Sequence, residues 1–341
     1  MNKSKVIIIA EAGVNHNGDV ELAKKLIEKA SEAKADYVKF QTFIAEKVIS
    51  ISAKKASYQV TNTDSEESQL QMVKKLELKF DDFRALKKHS ELHNIQFLST
   101  PFDLESAIFL KELGVKIFKI PSGEITNLPY LKLIGSFNLD VILSTGMANL
   151  QEIKEAVKVL IDSGTPLSNI TILHCNTEYP TPMSDVNLLA MHNIKNELGV
   201  EIGYSDHTEG IEVSMAAVAL GAKVIEKHFT LDKQMEGPDH VASLNPEELK
   251  NLVSSIRNIE KAISGSGVKE PSVSEMKNIS IVRKSLHYRD SFPKGHVISF
   301  DDILIVRPGN GISPMEIDKV IGKELKSNVF SNQLINYSEL I

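Results

Sequence analysis

Apolar runs that end in polar side chains recur along the first three quarters of the chain, and an amphipathic stretch follows each of them. KVIIIAEAG, at residues 5–13, precedes ELAKKLIEKASEA, in which apolar residues return every three or four positions, as in a helix. Similar pairs begin at seven more apolar runs: DYVKFQTF, NIQFLSTPFD, KIFKIPSGE, DVILSTGM, ITILHCNTEYPTP, IGYSDH and VIEKHF. The pattern predicts eight strand–helix units over residues 5–263.

The eight predicted strands lack a clean alternation of apolar and polar residues, which is typical of strands covered on both faces. Eight such units in about 250 residues predict an α/β fold of the (β/α)8 TIM barrel type. A doubly wound sheet is the competing arrangement, but EAGVNHNG after the first strand is not its GxGxxG signature.

Two helices can be located more closely. After the second strand, the chain is polar to about Ser68, and QLQMVKKLEL is the helix that we predict there. Asn245 and Pro246 predict the start of the last barrel helix.

A serine- and glycine-rich stretch, SGSGVKEPSVSE, follows Ile263 and predicts an exposed linker. We therefore place the barrel at residues 1–263, the linker at 264–278 and a small β-rich domain at 279–341. The last of these contains short β-prone pieces, SLHYRD, HVISF and ILIVRPG, and one short helical piece, PMEIDKVIG. Because so small a domain buries little apolar surface, we expect it to lean on the barrel or on a second subunit.

Composition narrows the classes of function. The 39 basic and 45 acidic residues give a net charge of −6 with no basic block, which argues against a nucleic-acid binder. No apolar stretch approaches the length of a membrane span, and the N-terminal apolar run is too short for a signal peptide. Cys175 is the only cysteine, so we expect no internal disulfide, a cytoplasmic location and a buried, unreactive thiol.

Nearly every predicted strand ends in side chains that can take part in chemistry. Each of them has an ordinary explanation by itself, because serines and threonines cap helices and charged residues face solvent. In a barrel, however, all eight strand ends lie at one mouth, so together they predict an active site there. The residues concerned are Glu11, Lys39, Gln41, Ser99, Thr100, Lys119, Ser122, Glu124, Ser144, Thr145, Tyr179, Ser205, His207, Lys227 and His228.

Cationic and hydroxyl side chains at these strand ends predict a site for an anion. Lys39 and Lys119 would hold a phosphate or carboxylate by charge-assisted hydrogen bonds, together with nearby backbone N–H groups. The substrate is then expected to be phosphorylated. The hydroxyls that would complete this site belong to Thr100, Ser122, Ser144 and Ser205.

Histidines end two consecutive strands, at His207 and His228. A single histidine at a strand end is more often a hydrogen-bonded core residue than a ligand, but neighbouring parallel strands would bring these two close enough to share a metal ion. With Glu11 or Glu124, they suit Mn²⁺ or a similar divalent ion better than structural zinc, which normally has cysteines or a third protein ligand. Such an ion would activate water or polarise a carbonyl.

The motifs taken together resemble those of the bacterial sialic acid synthase family, which makes N-acetylneuraminate, legionaminate and pseudaminate. The resemblance covers almost the whole chain and implies a barrel followed by a SAF (antifreeze-like) domain. It rests on EAGVNHNGD, KFQTF, STPFD, KIPSGEITNLPYL, LSTGM, LHCNTEYPTP, GYSDH, EKHFTLD, GPDH and RPGNGISP.

The resemblance implies a metal-dependent transferase that condenses phosphoenolpyruvate with an N-acylated amino sugar. N-acetylmannosamine, which would make the protein an N-acetylneuraminate synthase, is the first expectation, and the legionaminate precursor 2,4-diacetamido-2,4,6-trideoxymannose is the alternative. Carbon 3 of phosphoenolpyruvate would attack the sugar aldehyde held by the metal, water would add at carbon 2, and phosphate would leave by carbon–oxygen cleavage. Mn²⁺ is the expected ion, with Mg²⁺ or Co²⁺ as alternatives.

Position by position, the resemblance implies catalytic roles for Glu11 and Glu124 and leaves open which of them transfers protons. The metal ligands are His207 and His228. Arg307, in RPGNG, would reach the barrel of a partner subunit in a domain-swapped homodimer. In one branch of the family, histidines flank the glutamine of this second-strand motif, whereas this chain has KFQTF. The resemblance therefore does not decide which sugar is the substrate. The implied contacts with phosphoenolpyruvate are Lys39, Thr100, Lys119, Ser122, Ser144 and Ser205. The implied contacts with the sugar are Gln41, Tyr179 and Asp239. Asn62 is a candidate for a further sugar contact, because the loop 57–67 aligns poorly with the family.

Two other hypotheses explain less of the sequence. A different phosphoenolpyruvate-condensing barrel, acting on a phosphorylated aldose, would need more positive charge than Lys39, Lys119 and Arg307 supply. A non-enzymatic ice- or carbohydrate-binding protein would leave the strand-end residues of the barrel unexplained, and fold similarity alone does not support it.

Overall fold

The structure is a computed structural model that describes residues 5–63 and 66–341, and the chain divides into two compact units, Met1–Gly265 and Ser266–Ile341. The helix Val273–Val282 of the second unit covers part of the segment expected to be a linker. The domain limits at residues 263 and 278 stay a prediction. Within the described residues, no helix is long and apolar enough to cross a membrane.

Eight parallel strands form the centre of the first unit. They are hydrogen-bonded in the order β3-β2-β1-β8-β7-β6-β5-β4, and β3 also lies beside β4, so the sheet closes on itself. The predicted (β/α)8 TIM barrel is therefore confirmed. The strands are β1 (Ile7–Gly13), β2 (Tyr37–Thr42), β3 (Gln96–Pro101), β4 (Ile117–Ile120), β5 (Asp140–Ser144), β6 (Ile170–His174), β7 (Glu201–Asp206) and β8 (Val224–His228).

Both faces of the sheet are buried, which explains the nearly continuous apolar runs of the sequence. Inside the barrel, Ile9, Leu98, Ile142, Leu173 and Val224 pack as one apolar cluster. The outer face packs against the surrounding helices in a larger core. Several polar residues near the strand ends, such as Glu11 after Ile9 and Thr100 after Leu98, continue the inward-facing rows beyond this apolar layer.

Helices follow the strands as the sequence predicts, with one difference after β2. The predicted helix at QLQMVKKLEL exists as α4, but the helix leading into β3 is α5, whose apolar residues Phe83 and Leu86 are buried against the barrel. The sequence hypothesis missed α5. The first-unit helices are α1 (Val20–Glu32), α2 (Ala45–Val48), α3 (Ser57–Asn62), α4 (Gln69–Leu76), α5 (Phe80–Leu92), α6 (Leu104–Leu113), α7 (Leu128–Ser136), α8 (Leu150–Ser163), α9 (Ala190–Leu198), α10 (Glu212–Ala219) and α11 (Pro246–Ala262).

The last barrel helix begins as its sequence predicts. The Asn245 side chain accepts a hydrogen bond from the Glu248 N–H, and the Glu248 carboxylate accepts one from the Asn245 N–H. Pro246 occupies the first turn, where backbone N–H groups have no intrahelical acceptor, so the N–H that proline lacks costs no hydrogen bond. This reciprocal cap orients α11 where it leaves the loop after β8.

The second unit has a small apolar core of its own, which includes Leu286, Tyr288, Ile298 and Val320. It consists of α12 (Val273–Val282), the antiparallel pair β9 (Ser285–Tyr288) and β10 (Ile303–Val306), and short 3-10 turns. Two of the predicted β pieces are strands, and the predicted helical piece is a 3-10 turn at Pro314–Lys319. HVISF forms no strand and contributes only an isolated bridge from Val297 to Glu324.

Candidate active site

The register of the parallel strands brings the polar strand ends together. Glu11 lies beside Lys39 on one side and beside His228 on the other, and Ser205 lies beside Glu226. Because alternate residues of a strand face the barrel interior, these side chains converge at the carboxyl end of the strands. Gly13, at φ +54°, closes β1 in a conformation that suits glycine, and an added Cβ there would touch Gln41, Glu11 and His228.

Two buried lysines and two buried glutamates form the charged centre of this mouth. Lys39 Nζ lies 2.8 Å from Glu11 Oε2 and donates to Thr100 Oγ1 at 2.9 Å. Lys119 Nζ lies 3.1 Å from Glu226 Oε1. The second Glu226 oxygen is 3.5 Å from Lys39, so one carboxylate bridges both lysines.

Glu226 is a site residue that the sequence hypothesis missed. VIEKH contains two candidates for an inward position, and the hypothesis chose Lys227 with His228. The structure turns Glu226 and His228 into the mouth, whereas Lys227 lies on the outer face, 3.1 Å from Asp206 Oδ1, and also donates to the Thr208 carbonyl. The period of two in a strand could have shown that Glu226 and His228 share one face. The expectation that Lys227 faces the mouth is wrong.

Burial and the opposing charges shift the pKa values of these groups in different directions. Burial raises the pKa of Glu11 to about 7, although Lys39 opposes the shift. Burial also acts to raise the pKa of Glu226, but Lys119 and Lys39 outweigh it and hold that pKa well below its usual range. Burial lowers the pKa of Lys119. Burial acts to lower the pKa of Lys39 too, but Glu11 and Glu226 together raise it.

Hydroxyl groups line the same mouth, as the sequence predicts for an anion site. Ser205 Oγ donates to Glu226 Oε1 at 2.8 Å. Ser122 Oγ accepts from the Gly146 N–H at 2.9 Å and lies 3.3 Å from the thiol of Cys175, which is buried yet faces the mouth. Ser144 Oγ is buried and has no hydrogen-bond partner among the described residues. An unpaired buried hydroxyl is costly, so it marks a position suited to a bound polar group.

His207 and His228 lie side by side at the mouth, with ring centroids 5.5 Å apart. His207 Nδ1–H donates to the Asn176 carbonyl, which leaves Nε2 as its acceptor nitrogen. His228 Nδ1 is buried without a hydrogen-bond partner in the described part of the chain. Burial lowers the pKa of His207 to about 4 and that of His228 well below its usual value, so both imidazoles are neutral near pH 7.

These features fit a metal ion. Two neutral imidazoles, one oriented by a backbone carbonyl and the other with an unpaired buried nitrogen, are a suitable donor set for a divalent ion. Within the described ranges, no third histidine, cysteine or carboxylate joins the pair with all ligand atoms within 4.8 Å of one another. Any further ligands would therefore come from water, from a substrate or from a carboxylate that moves closer.

Two adjoining cavities open at the mouth. The first has a volume of about 180 Å³ and contains the charged centre and the serines. The second has a volume of about 400 Å³ and shares Gln41, Phe102, Tyr179 and His228 with the first. Tyr179 lies over His207 with ring centroids 4.2 Å apart. The second cavity, here called the side cavity, is lined by Val14, Gln41, Phe43, Val48, Ile49, Gln59, Gln69, Met72, Val73, Leu76, Phe102, Tyr179, His228, Pro238 and Asp239.

The remaining candidate residues are distributed unevenly. Gln41 donates to Glu11 Oε1 at 3.3 Å and lines both cavities. Asn62 donates to the Pro238 carbonyl at 3.1 Å, and the amide from this loop that lines the side cavity is Gln59. The Glu124 carboxylate accepts from Asn127 and lines neither cavity. The roles of Asn62 and Glu124 in binding or catalysis stay predictions.

Arg307 belongs to the second unit. Its side chain is exposed, and its Nε donates to the Val282 carbonyl at 3.0 Å. A cis peptide bond joins it to Pro308. Its predicted role in the site of a partner subunit stays a prediction.

Asp239 is a buried carboxyl group in the wall of the side cavity, 8% exposed. Burial raises its pKa from 3.8 to about 6, and among the described residues no cation opposes this shift. Ionising this group in the folded protein therefore costs free energy, and the cost appears as the pH rises from about 4 to 6. A sugar hydroxyl that donates to the carboxylate would reduce that cost.

We expect Asp239→Asn to be more stable than the wild type at pH 8 by about 2–3 kcal/mol, the equivalent of the raised pKa. Thermal or denaturant unfolding between pH 3 and 8 measures this, and the difference should disappear near pH 3, where the aspartate is protonated in both the folded and the unfolded state. Asp232→Asn, an exposed change in the same loop, is the control and should show no such gain. Equal stability of wild type and Asp239→Asn at pH 8 would contradict the cost assigned to ionising this buried carboxyl group.

Comparison with known proteins identifies the family and agrees with the fold. Residues 26–269 match the NeuB family, and residues 283–341 match the SAF domain. The N,N'-diacetyllegionaminic acid synthase of Campylobacter jejuni is 58% identical over 97% of this chain and 99% of that protein. The enzyme of the same name from Legionella pneumophila is 48% identical over 94% of this chain and 91% of its own length.

A solved structure is also similar: N-acetylneuraminic acid (sialic acid) synthetase from Leptospira borgpetersenii. It is 39% identical in sequence with a TM-score of 0.72, and the match covers 81% of this chain and 90% of that one. The resemblance predicted from the motifs is thus confirmed. The chain belongs to the NeuB family of sialic and legionaminic acid synthases, as an enzymatic barrel followed by a SAF domain.

Proposed function

We propose that this enzyme is an N,N'-diacetyllegionaminate synthase, which condenses phosphoenolpyruvate with 2,4-diacetamido-2,4,6-trideoxymannose. Relatives named for that product are 58% and 48% identical, compared with 39% for the solved N-acetylneuraminic acid synthetase. These identities favour the alternative that the sequence left open over the first expectation, N-acetylmannosamine. The observation that carries the proposal is the chemistry of the side cavity.

The side cavity is apolar on most of its wall, and the described residues that line it include no lysine or arginine. A 6-deoxy sugar with two acetamido groups presents three methyl groups, whose burial against Val14, Phe43 and Met72 is favourable. A 6-hydroxyl or 6-phosphate would instead lose hydration without a cationic partner. The amides of Gln59 and Gln69 and the carboxylate of Asp239 are available for the acetamido groups and the hydroxyls.

The charged cavity is suited to phosphoenolpyruvate. Lys39 and Lys119 supply positive charge in a buried setting, where charge-assisted hydrogen bonds to phosphate and carboxylate oxygens are strong. Ser144 Oγ, which is unpaired, adds a hydroxyl donor. Because Glu226 bridges the two lysines, it fixes their positions before the substrate arrives.

The proposed reaction forms a bond between carbon 3 of phosphoenolpyruvate and carbon 1 of the sugar aldehyde. One water is consumed at carbon 2, and phosphate leaves with the oxygen that joined it to the enol. Between the two glutamates that the resemblance implies, the positions favour Glu11 for holding or moving a proton, since its carboxylate lies in the mouth beside Lys39 and Gln41. Glu124 lines neither cavity.

His207 and His228 would hold a divalent ion, for which we propose Mn²⁺. When bound, the ion would supply Lewis acidity toward the sugar carbonyl. The Asn176 carbonyl accepts the hydrogen bond of His207 Nδ1–H, so His207 Nε2 is directed away from the backbone, and Tyr179 covers the His207 ring.

We place the reaction in the cytoplasm because Cys175 is the only cysteine of the chain.

The sugar specificity can be measured directly. We expect kcat/KM for 2,4-diacetamido-2,4,6-trideoxymannose to exceed that for N-acetylmannosamine at least tenfold, since one group more or less in an apolar pocket changes the binding free energy by about 1–3 kcal/mol. Phosphate release with each sugar is the assay, and the KM for phosphoenolpyruvate is the internal control. Equal or faster turnover of N-acetylmannosamine would make the enzyme an N-acetylneuraminate synthase, and no release with either sugar would overturn both assignments.

We also propose a homodimer in which Arg307 of one copy completes the site of the other. The resemblance of RPGNGISP supports this, and a guanidinium suits the carbonyl and hydroxyl oxygens of an N-acyl sugar. In an equal mixture of Arg307→Ala and His228→Ala, both inactive alone, subunit exchange should restore about a quarter of wild-type activity, because one site in each heterodimer is intact. Demonstrated exchange without recovered activity would place Arg307 in its own chain's site or outside any site.

A further inference from the structure

Two histidines and a glutamate meet on the outside of the barrel. Glu28 lies on α1, His89 lies on α5, and His93 is the residue that caps the C-terminal end of α5. Their ligand atoms all lie within 4.8 Å of one another, and within residues 5–63 and 66–341 no other group of three histidine, cysteine or carboxylate side chains comes so close. None of the three residues lines the mouth or the side cavity.

The separations are close to those of ligands around one ion. His89 Nε2 lies 3.1 Å from Glu28 Oε1, and His93 Nε2 lies 4.0 Å from the same oxygen. Ligand atoms at about 2.0–2.2 Å from a tetrahedral zinc ion are about 3.4 Å apart, so small side-chain rotations bring all three into range. The four-residue spacing of the histidines places both on one face of α5, toward α1.

The three side chains are also held in place before any ion binds. Ser31 Oγ donates to the His93 carbonyl at 2.7 Å and ties the end of α5 to α1. The two imidazole rings pack with centroids 4.5 Å apart. Two lysines on the same helices are paired with carboxylates, Lys29 with Glu32 at 2.7 Å and Lys87 with Glu91 at 3.1 Å.

We propose that Glu28, His89 and His93 form a binding site for one divalent transition-metal ion that clamps α1 to α5. Two imidazoles and one carboxylate, with a fourth position left to water, are a ligand set that suits zinc. Magnesium and calcium prefer oxygen ligands, so two imidazoles do not suit them. The ion would replace the proton that lies between His89 and Glu28 in the free protein.

The site lies at the end of the barrel opposite the mouth. In a (β/α)8 barrel, each helix runs back from the carboxyl ends of the strands toward their amino ends. Glu28 is near the C-terminal end of α1, and His93 follows α5 directly before β3. The ion would therefore stabilise the first unit without entering the reaction, and the inference does not depend on the proposed function.

Equilibrium zinc binding to the metal-free full-length chain tests the proposal, measured by competition with a chromophoric chelator. We expect His89→Gln and His93→Gln each to weaken the binding of one equivalent of zinc at least tenfold, while Glu21→Gln, a matched change in the first turn of α1, leaves binding unchanged. Zinc should raise the melting temperature of the wild type and of Glu21→Gln by several degrees, and that of Glu28→Gln by clearly less. Turnover should be the same in the four variants and the wild type.

Two results would overturn the proposed metal site. If wild type, His89→Gln and His93→Gln bind zinc with the same stoichiometry and affinity, the three residues form only an ordinary ion pair and ring contact. A zinc-induced rise in melting temperature that is as large in Glu28→Gln as in the wild type would also overturn the clamp. Circular dichroism of each variant verifies that it is folded, since all three side chains are partly exposed.

Discussion

His207→Ala and His228→Ala should each reduce turnover at least a thousandfold while changing the melting temperature little. The two rings lie at the mouth, and among the residues that the structure describes the pair lacks the third protein ligand that structural zinc sites have, so we expect their loss to affect the reaction more than the fold. Removing metal with EDTA followed by dialysis should have the same effect, and adding Mn²⁺ should restore activity to the wild type alone. Phosphate release under saturating substrates is the measurement.

His174→Gln is the matched control for the histidine pair. His174 also ends a strand of the barrel, but its Nε2–H donates to the Val186 carbonyl, and it lines neither cavity. This variant should keep most of its activity. If the metal-free wild type keeps full activity, or if His174→Gln is as inactive as His228→Ala, the metal assignment is wrong.

Lys119→Met should raise the KM for phosphoenolpyruvate about 10- to 100-fold and leave the KM for the sugar nearly unchanged. The lysine is buried and bonded to Glu226, so its loss removes a charge-assisted hydrogen bond worth about 1.5–3 kcal/mol in such a setting. It also leaves Glu226 with the hydrogen bond from Ser205 and the more distant cation of Lys39, at 3.5 Å. Steady-state kinetics with each substrate varied in turn separates the two effects.

Lys227→Met is an informative control for Lys119→Met, because both lysines are nearly fully buried in barrel strands and each is paired with a carboxylate. Lys227 faces the helices, so its loss leaves Asp206 buried without its cation and should destabilise the protein by about 3–5 kcal/mol. The KM for phosphoenolpyruvate should not change in that variant. Equal effects of Lys119→Met on both substrates would mean that the lysine shapes the mouth generally and does not bind phosphoenolpyruvate.

Much of the barrel could be predicted from local patterns. Apolar runs of strand length and amphipathic stretches report the period of each element, and these are properties of neighbouring residues. Once eight such units are recognised, the common direction of the strands requires their carboxyl ends to meet. That is why Lys39, Lys119, His207 and His228, which are far apart in sequence, could be assigned to one mouth.

Periodicity groups alternate residues of a strand on one face but does not report which of the two faces points inward. In VIEKH, only the register of β8 against β7 and β1 decides that Glu226 enters the mouth and that Lys227 pairs with Asp206 behind it. Similarly, α4 and α5 both have amphipathic sequences, and packing against the barrel decides that α5 is the helix that leads into β3.

The sequence by itself determined the fold class, the mouth and most of the residues that ring it, because those follow from the order and period of the elements. Tertiary structure alone decided which groups are buried beside one another: the Glu226 bridge between two lysines, the uncompensated carboxyl of Asp239, and the meeting of Glu28 with histidines 61 and 65 residues away. The reason is physical. Desolvation and ion pairing depend on distances between side chains from different elements, and those distances exist only after the elements have packed.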